Sequence, residues 1–173
     1  LYNLVSTPDC LPQFIKEKNV KLFTNHHIFT REEIFSRYEI LLENYAKTVK
    51  IEARTLSEML TKDFLLALDT YAGQTAKHAS FKKAFLPSLP LVSEEALVTK
   101  LTNTYTELTE GIAKLMALVE EADQITDMYA MATFCQKNIL GQMETLRLLA
   151  NAAEALIPDE LLPYPTYDQL LFS

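Results

Sequence analysis

The segment SRYEILLENYAKTVKIEA, Ser36 to Ala53, decides the fold, because it lies in a run of sixty residues, Gln13 to Ala72, that contains neither glycine nor proline. Apolar side chains recur along this run at intervals of three and four, which is the spacing of one helix face. The expected inward positions are Ile34, Tyr38, Leu41, Leu42, Tyr45, Val49, Leu56, Met59, Leu60, Phe64, Leu68 and Tyr71. The pattern predicts one long helix that ends at Gly73.

The start of this helix has its own signal. Thr30 followed by Glu33 forms a capping box, in which the hydroxyl accepts from one backbone N–H and the carboxylate accepts from another. The helix is therefore expected to begin at Arg31. At 1.5 Å per residue it would run roughly 60 Å if unbroken, a length that suits a structural arm or an interface.

The N-terminal residues predict one or two short helices between Pro8 and Phe23. Ser6 and Thr7 precede Pro8, and proline is well tolerated in the first helical turn because its missing N–H would have no partner there. Asn25, His26 and His27 are expected to interrupt the helical pattern.

Residues 74–92 contain two prolines and are expected to form a connection with about one helical turn. Ser93, followed by Glu94 and Glu95, then resembles a helix start with acids that complement the helix dipole. The helix that follows should fade near Asp123. Its expected inward positions are Leu97, Leu101, Tyr105, Leu108, Ile112, Leu115, Met116 and Val119.

A break at 123–126 would let the chain reverse, with Thr126 capping a final helix that Pro158 ends. The inward positions of that helix are Tyr129, Ala132, Ile139, Met143, Leu146, Leu149, Ala153 and Leu156. The predicted fold is all-α: an antiparallel bundle of three long helices plus short N-terminal helices and a packed C-terminal tail. The tail, 161–173, should pack because of Tyr164, Tyr167, Leu170, Leu171 and Phe172.

Length and composition indicate a single helical domain over 1–173, because 173 residues with 49% hydrophobic and 23% charged side chains can bury one core. A net charge of −7 argues against a nucleic-acid partner. The charge is uneven, with 12 basic and 10 acidic residues in 1–90 but 4 basic and 13 acidic residues in 91–173. Solvated helix faces and pairing between helices are the favoured explanation over a site for a basic partner.

Cys10 and Cys135 lie far apart in sequence and are expected to be buried free thiols. The sequence contains neither a run of about 18 apolar residues nor a signal peptide, so a cytoplasmic location is predicted. Because Leu1 is not methionine and the helical pattern begins almost at once, the chain is expected to be a segment of a longer polypeptide.

The sequence predicts no catalytic, cofactor-binding or metal-binding residue. His26 and His27 are adjacent, which suits a turn better than shared metal ligation, and His78 beside Lys77 is expected at the surface. The three glycines are isolated, so they cannot form a phosphate-binding loop. The paired carboxylates lie where helix starts and solvated faces are expected.

Tyr38 and Tyr45 lie seven residues apart on one helix face, where they could contact a ligand or a neighbouring subunit. Core packing with the hydroxyls reaching the edge is the favoured alternative. If this chain approaches a working surface, the first candidate set is these two tyrosines with their neighbours Arg37, Glu39, Glu43 and Asn44.

Three segments carry a resemblance to a known family. EKNVKLFTNHHIFTREEIF, Glu17 to Phe35, runs directly into Ser36–Ala53, and YPTYDQLLFS, Tyr164 to Ser173, closes the chain. Both closely resemble the helical C-terminal region of type III glutamine synthetases. The segment FCQKNILGQMETLR, 134–147, resembles the family more loosely, with Gly141 where a proline is expected.

The resemblance implies a parent enzyme that ligates ammonia to glutamate with ATP, through a γ-glutamyl phosphate, and uses Mg or Mn. In that family the ligands for nucleotide, glutamate and metal lie upstream of the matching region, so none is carried onto this chain. The resemblance implies that the chain braces the catalytic domain, that it forms contacts with neighbouring protomers of a dodecamer, or that it does both. A stand-alone helical interaction module and a ligand-sensing bundle are the alternatives.

Overall fold

In the computed structural model, residues 4–165 and 167–171 are described, the side chains of 167 and 168 excepted. Within these ranges the chain is helical and has no strand, which confirms the all-α prediction. The α-helices are α1 Thr7–Phe14, α2 Glu17–Asn25, α3 Arg31–Met59, α4 Leu65–Phe85, α5 Val92–Asp123, α6 Met128–Phe134, α7 Leu140–Glu154 and α8 Tyr167–Leu171, and a short 3₁₀ turn spans Asp159–Leu161.

The predicted capping box opens α3. The Thr30 N–H donates to Glu33 Oε2 at 2.8 Å, and the Glu33 N–H donates to Thr30 Oγ1 at 3.2 Å. Two backbone donors that the helix cannot satisfy are thereby paired reciprocally. Ahead of the box, His27 adopts a left-handed φ of 53°, which supports the predicted interruption between α2 and α3.

The long helix is interrupted by a wider turn that the sequence pattern did not predict. Leu60–Phe64 is a π-helical segment between α3 and α4, and the Leu65 N–H donates to the Leu60 carbonyl five residues back. The helical run itself continues without a break from Arg31 to Phe85. A second π segment, Cys135–Ile139, lies between α6 and α7.

The predicted stop at Gly73 is wrong, and so is the connection predicted over 74–92. Helix α4 continues to Phe85, because Gln74–Ala84 is rich in alanine and lysine, whose helix propensity offsets the cost of one glycine, about 1 kcal/mol. The helix ends before Pro87, which disfavours a helical backbone at Leu86, here extended at φ −135° and ψ 94°. The actual connection between α4 and α5 is 86–91.

Helix α5 begins at Val92, so Ser93 lies inside the first turn rather than capping it. The predicted end near Asp123 is confirmed. The cap of the next helix is Asp127 rather than Thr126: its carboxylate accepts from the Ala130 N–H at 2.7 Å. A carboxylate reaches the free N–H groups of a first turn as well as a hydroxyl does and also complements the helix dipole.

Most predicted inward positions that carry large aliphatic side chains are buried, including Ile34, Leu42, Leu68, Leu108 and Leu146. The exceptions are mainly long or aromatic side chains near the edges of the stripes: Leu41, Met59, Tyr105 and Tyr129 are exposed. These predictions of burial were wrong because a three-and-four spacing marks the centre of a helix stripe better than its margins.

The chain divides into two compact units. The first contains the described residues of Leu1–Arg54 together with Leu115–Gln142, and the second contains Thr55–Lys114 and the described residues of Met143–Ser173. The prediction of one domain stays a prediction, and so does the antiparallel arrangement of three long helices.

In the first unit, aromatic rings hold the short N-terminal helices. The Phe14 and Phe23 ring centroids lie 5.5 Å apart, and those of Phe23 and Phe29 lie 5.9 Å apart, both in tilted geometry. Arg31 at the start of α3 forms an ion pair with Glu17 at 3.1 Å. These contacts fix α1 and α2 beside the beginning of α3.

In the second unit, Lys82 near the end of α4 pairs with Glu94 in the first turn of α5 at 2.8 Å. Lys83 donates to the Leu89 carbonyl at 3.2 Å and so fastens the connection between the same two helices. The pKa of Glu94 is lowered, first because it accepts a hydrogen bond from Lys82. These polar contacts close the turn from α4 into α5.

Candidate functional site

The two tyrosines of the candidate set on α3 are half-buried in the first unit. Burial is the main cause that raises the pKa of Tyr38, and the nearby Tyr129 and Asp127 add to it. Burial also raises the pKa of Tyr45, with a further contribution from Cys135. Their surroundings are thus the side chains near and within α6 and the following π segment, an arrangement typical of core-edge tyrosines.

The polar members of the candidate set point to different partners. The Arg37 guanidinium lies over the Phe29 ring, 4.6 Å from its centroid, and Glu43 pairs with Lys47 at 2.6 Å one helical turn away. Glu39 and Asn44 are exposed. Arg37 also lines a shallow depression with Glu32, Glu33, Ser36 and Ile40. These contacts describe a solvated helix face rather than a convergent reaction site.

Metal-binding side chains do not cluster in the described part of the chain: no group of three or more His, Cys, Asp or Glu there could hold an ion. His26, His27 and His78 are exposed. The prediction that both cysteines are buried is half wrong, because Cys135 is buried and Cys10 is exposed. Cys10 lies in the short helix α1, whose eight residues form about two turns and cover little surface.

None of the helices in the described ranges is both long and apolar enough to cross a membrane.

A charge cluster joins α3 and α5 in the first unit. Asp123 at the end of α5 accepts from Lys50 at 2.6 Å and from Arg54 at 3.2 Å, and both donors lie on α3. The pKa of Asp123 is lowered, first by the hydrogen bond from Lys50. These two ion pairs, which share Asp123, align α3 with α5 in this unit. The charge pattern of the sequence predicts pairing between helices but not which residues pair.

Tyr164 anchors the C-terminal tail in the second unit. Its hydroxyl lies 3.1 Å from the Met59 carbonyl oxygen and 3.2 Å from Asp63 Oδ2. Burial, followed by the negative charge of Asp63, raises the pKa of Tyr164 to about 12. Beside the ring is a cavity of about 180 Å³. It is lined by Leu56, Met59, Leu60, Phe64, Arg147, Ala150, Asn151, Glu154, Leu162 and Tyr164.

The prediction of a packed tail thus holds at Tyr164 but not at Leu170 and Leu171 near the end of the tail. Leu170 and Leu171 are exposed, the latter at 73%. The side chains of Tyr167 and Phe172 lie outside the described part of the chain. The short helix α8 leaves its two leucines accessible because five residues form little more than one turn.

The second unit also exposes aromatic side chains in the segment 74–92, for which the sequence predicts a connection. Phe81 and Phe85 on α4 are 62% and 91% exposed, and Leu86 and Val92 beside them are also exposed. The Lys77 ammonium lies 5.8 Å from the Phe81 ring centroid. The spacing of Lys77, Phe81 and Phe85 at intervals of four was the signal that could have identified this face in advance.

Comparisons with known proteins identify relatives of this chain. The profile of the glutamine synthetase C-terminal domain family matches residues 1–83. A glutamine synthetase of Butyrivibrio fibrisolvens is 40% identical over 173 residues, which is all of this chain and 25% of that protein. A type-3 glutamine synthetase of Dictyostelium discoideum is 30% identical over 176 residues, 99% of this chain and 24% of that protein. The chain spans about a quarter of the length of these relatives.

Proposed function

The chain belongs to the glutamine synthetase family, as its C-terminal helical domain, and on this premise we propose that it is a non-catalytic brace in a longer type III enzyme. It would stabilise the catalytic part of the same polypeptide, the contacts between protomers, or both. The proposal explains why nearly all of the sequence is committed to long helices.

One observation carries the proposal. The helices of the second unit expose large apolar side chains, above all Phe85 at 91% and Phe81 at 62%. Neighbouring exposed apolar side chains are typical of surfaces that another protein surface covers. Because the relatives are about four times as long as this chain, a covering surface is available in the remainder of such a polypeptide.

The parent activity follows from the family as part of the same proposal. The complete polypeptide would ligate ammonia to glutamate at the expense of ATP, with Mg or Mn as cofactor, and would assemble into a dodecamer in the cytoplasm. The residues that bind substrate, nucleotide and metal would lie outside this chain. The chain contributes stability and assembly rather than a reacting group.

The test compares Phe85→Ser in the complete polypeptide and in the chain 1–173. In the isolated chain an exposed side chain contributes within about 0.5 kcal/mol, so the melting temperature should change by less than about 2 °C. In the complete polypeptide the same substitution should lower the assembled fraction, measured by native mass spectrometry, or lower the melting temperature by several times that amount. ATP-dependent glutamine formation is measured in parallel.

The matched control is Thr102→Ser, an exposed polar position on α5, which should change neither quantity. Removal of Tyr164–Ser173 from the complete polypeptide should also reduce assembly or thermal stability. Unchanged assembly and melting in both altered polypeptides would contradict the bracing role. Saturable binding of ATP to the chain 1–173 would contradict its non-catalytic character.

A further inference from the structure

We propose that the cavity beside Tyr164 binds a small primary amine whose apolar part is about the size of a benzene ring. This inference goes beyond the bracing role, because it assigns a ligand to a site that bracing does not use. The residues that line the cavity all belong to the second unit. They come from the last turn of α3, the first π segment, the second half of α7 and the tail.

The volume of the cavity limits the size of the ligand. At about 180 Å³ the cavity is smaller than the pockets that hold drug-sized molecules, which measure about 300–1,000 Å³. An engineered apolar cavity of about 150 Å³ in another protein stays dry and binds benzene. The cavity beside Tyr164 therefore fits one ring with a short substituent, about eight non-hydrogen atoms in all.

The inner wall of the cavity favours an apolar ligand body. Leu60 and Phe64 line it and are buried, and Leu56 and Leu162 line it and are half-buried. Together with Tyr164, Phe64 offers aromatic surface to a ring of this size. Leu60 and Phe64 also belong to the first π segment, and π turns are rare and frequently lie at functional sites. The position of this π turn is thus a separate observation that points to the same cavity.

The charged side chains at the mouth of the cavity favour a cation. Glu154 lines the cavity, is exposed, and forms no ion pair with another described residue. Arg147 also lines it, but its guanidinium already contacts both carboxylate oxygens of Glu144, at 2.6 and 2.8 Å. An anionic ligand would have to displace Glu144 and would lie near the charge of Glu154. An ammonium group can instead pair with Glu154 and be attracted by the face of the Tyr164 ring.

The tail forms the wall that a ligand would stabilise. Tyr164 is held by the Met59 carbonyl and Asp63, and the Leu162 N–H donates to the Asp159 carbonyl at 3.2 Å. A molecule that packs against Tyr164 and Leu162 binds only while the tail is attached, so it shifts the equilibrium toward the attached state. Amine binding is therefore coupled to the local stability of the tail.

The experiment measures the binding of benzylamine to the complete polypeptide at pH 7 by saturation-transfer difference NMR. Benzyl alcohol and benzoate are the neutral and anionic probes of the same size. For about eight non-hydrogen atoms we expect a benzylamine dissociation constant on the order of 1 mM. Benzyl alcohol should bind about three- to ten-fold more weakly, because it lacks the ion pair and the attraction to the ring. Benzoate should show no binding at this cavity.

Two substitutions identify the site. Ala150→Phe adds a ring to a half-buried lining position and should abolish binding of both benzylamine and benzyl alcohol. Its matched control is Ala152→Phe, which adds the same ring at an exposed position of α7 outside the cavity and should leave binding unchanged. Glu154→Gln alters an exposed side chain and should lower the affinity for benzylamine to that for benzyl alcohol, whose own affinity should not change.

Hydrogen exchange supplies a second readout at the tail. Benzylamine at ten times its dissociation constant should slow exchange at Leu161 and Leu162 by up to about ten-fold. The same concentration should have no such effect in the Ala150→Phe polypeptide.

Benzylamine binding that Ala150→Phe leaves unchanged would overturn the proposal, because the amine would then lie elsewhere in the polypeptide. Equal affinities for benzylamine and benzyl alcohol, or a benzylamine affinity that Glu154→Gln does not alter, would overturn the selection of an amine. Unchanged exchange at Leu161 and Leu162 would contradict the coupling to the tail. None of these results bears on the bracing role, which Phe85→Ser tests separately.

Discussion

At the scale of single residues, Tyr164 connects the tail to the junction between α3 and the first π segment. Its ring lies against the apolar cavity, while its hydroxyl lies at hydrogen-bonding distance from the Met59 carbonyl and the Asp63 carboxylate. Tyrosine suits this position because its apolar body and polar tip satisfy both surroundings. The raised pKa of about 12 reflects a neutral hydroxyl that the folded state favours.

Tyr164→Phe should loosen the tail while leaving the helices intact. The substitution removes one hydroxyl and keeps the ring, so the expected loss is about 0.5–1.5 kcal/mol of local stability. Hydrogen exchange at Leu161 and Leu162, whose N–H groups donate to the Pro158 and Asp159 carbonyls, should speed up, while exchange at Leu68 in the buried part of α4 should not. Equal acceleration at both places would show that Tyr164 stabilises the unit as a whole instead.

The pH dependence of this attachment follows from the direction of the shift. The folded pKa of Tyr164, about 12, lies above the ordinary value of 10.0, so the contribution is complete below pH 10 and is lost as the pH rises through about 12. Titration of tyrosinate absorbance should therefore lose one transition near pH 12 in the Tyr164→Phe variant, while the raised transitions of Tyr38 and Tyr45 remain.

At the scale of elements, the two π segments each insert a wider turn into an otherwise regular helical run. Leu60, Phe64 and the following Leu65 are all buried, so the first π segment presents three neighbouring large side chains to the core. A regular α-helix would carry one residue fewer over the same stretch. The wider turn absorbs this extra residue, so the inward faces of α3 and α4 stay in phase.

Deletion of Thr61, an exposed residue in the first π segment, should be tolerated because it removes the extra residue and leaves both flanking helices in phase. Deletion of Lys47, an exposed residue in regular α3, should rotate the following helix by about 100° and turn its buried stripe outward. We expect a loss of less than about 2 kcal/mol for the first and more than about 4 kcal/mol for the second, by urea denaturation. Equal losses would contradict the register argument.

At the scale of the whole molecule, the residues that stabilise the fold differ from those that are available for association. The buried aliphatic stripes of the helices supply the free energy of folding, whereas the exposed Phe81 and Phe85 contribute little to it. Residues 1–90 carry a small excess of basic groups, 12 against 10, whereas residues 91–173 carry 4 basic and 13 acidic groups. Different residues can therefore be altered to test folding and assembly.

Leu68→Ala should destabilise the chain 1–173 by about 2–5 kcal/mol, because Leu68 is fully buried and the smaller side chain leaves a cavity. Leu66→Ala, two residues away on the same helix, is the matched control, since Leu66 is 63% exposed and should change stability by within about 0.5 kcal/mol. Urea denaturation measures both. A loss at Leu66 comparable with that at Leu68 would mean that this exposed face is covered in the isolated chain.

The sequence predicted the helical class, the capping box at Thr30 and the centres of the buried stripes, because these depend on local hydrogen bonds and on periodicity. The comparisons confirmed the family, which was recognised from Glu17–Ala53 and the tail. The stop predicted at Gly73 was wrong, because one glycine costs less than the following strong helix formers contribute. The candidate set around Tyr38 and Tyr45 proved to have divergent contacts, since spacing along a helix does not determine side-chain partners.

The sequence by itself thus determined what repeats at short range: where helices are favoured, which side of each is apolar, and how charge is distributed. The tertiary structure decided the rest, namely the π turns, the contact of Lys50 with Asp123, the anchoring of Tyr164 and the exposure of Phe81 and Phe85. The physical reason is range. A helix signal arises from residues three or four positions apart, whereas these features depend on segments that are distant in sequence and meet only when the chain folds.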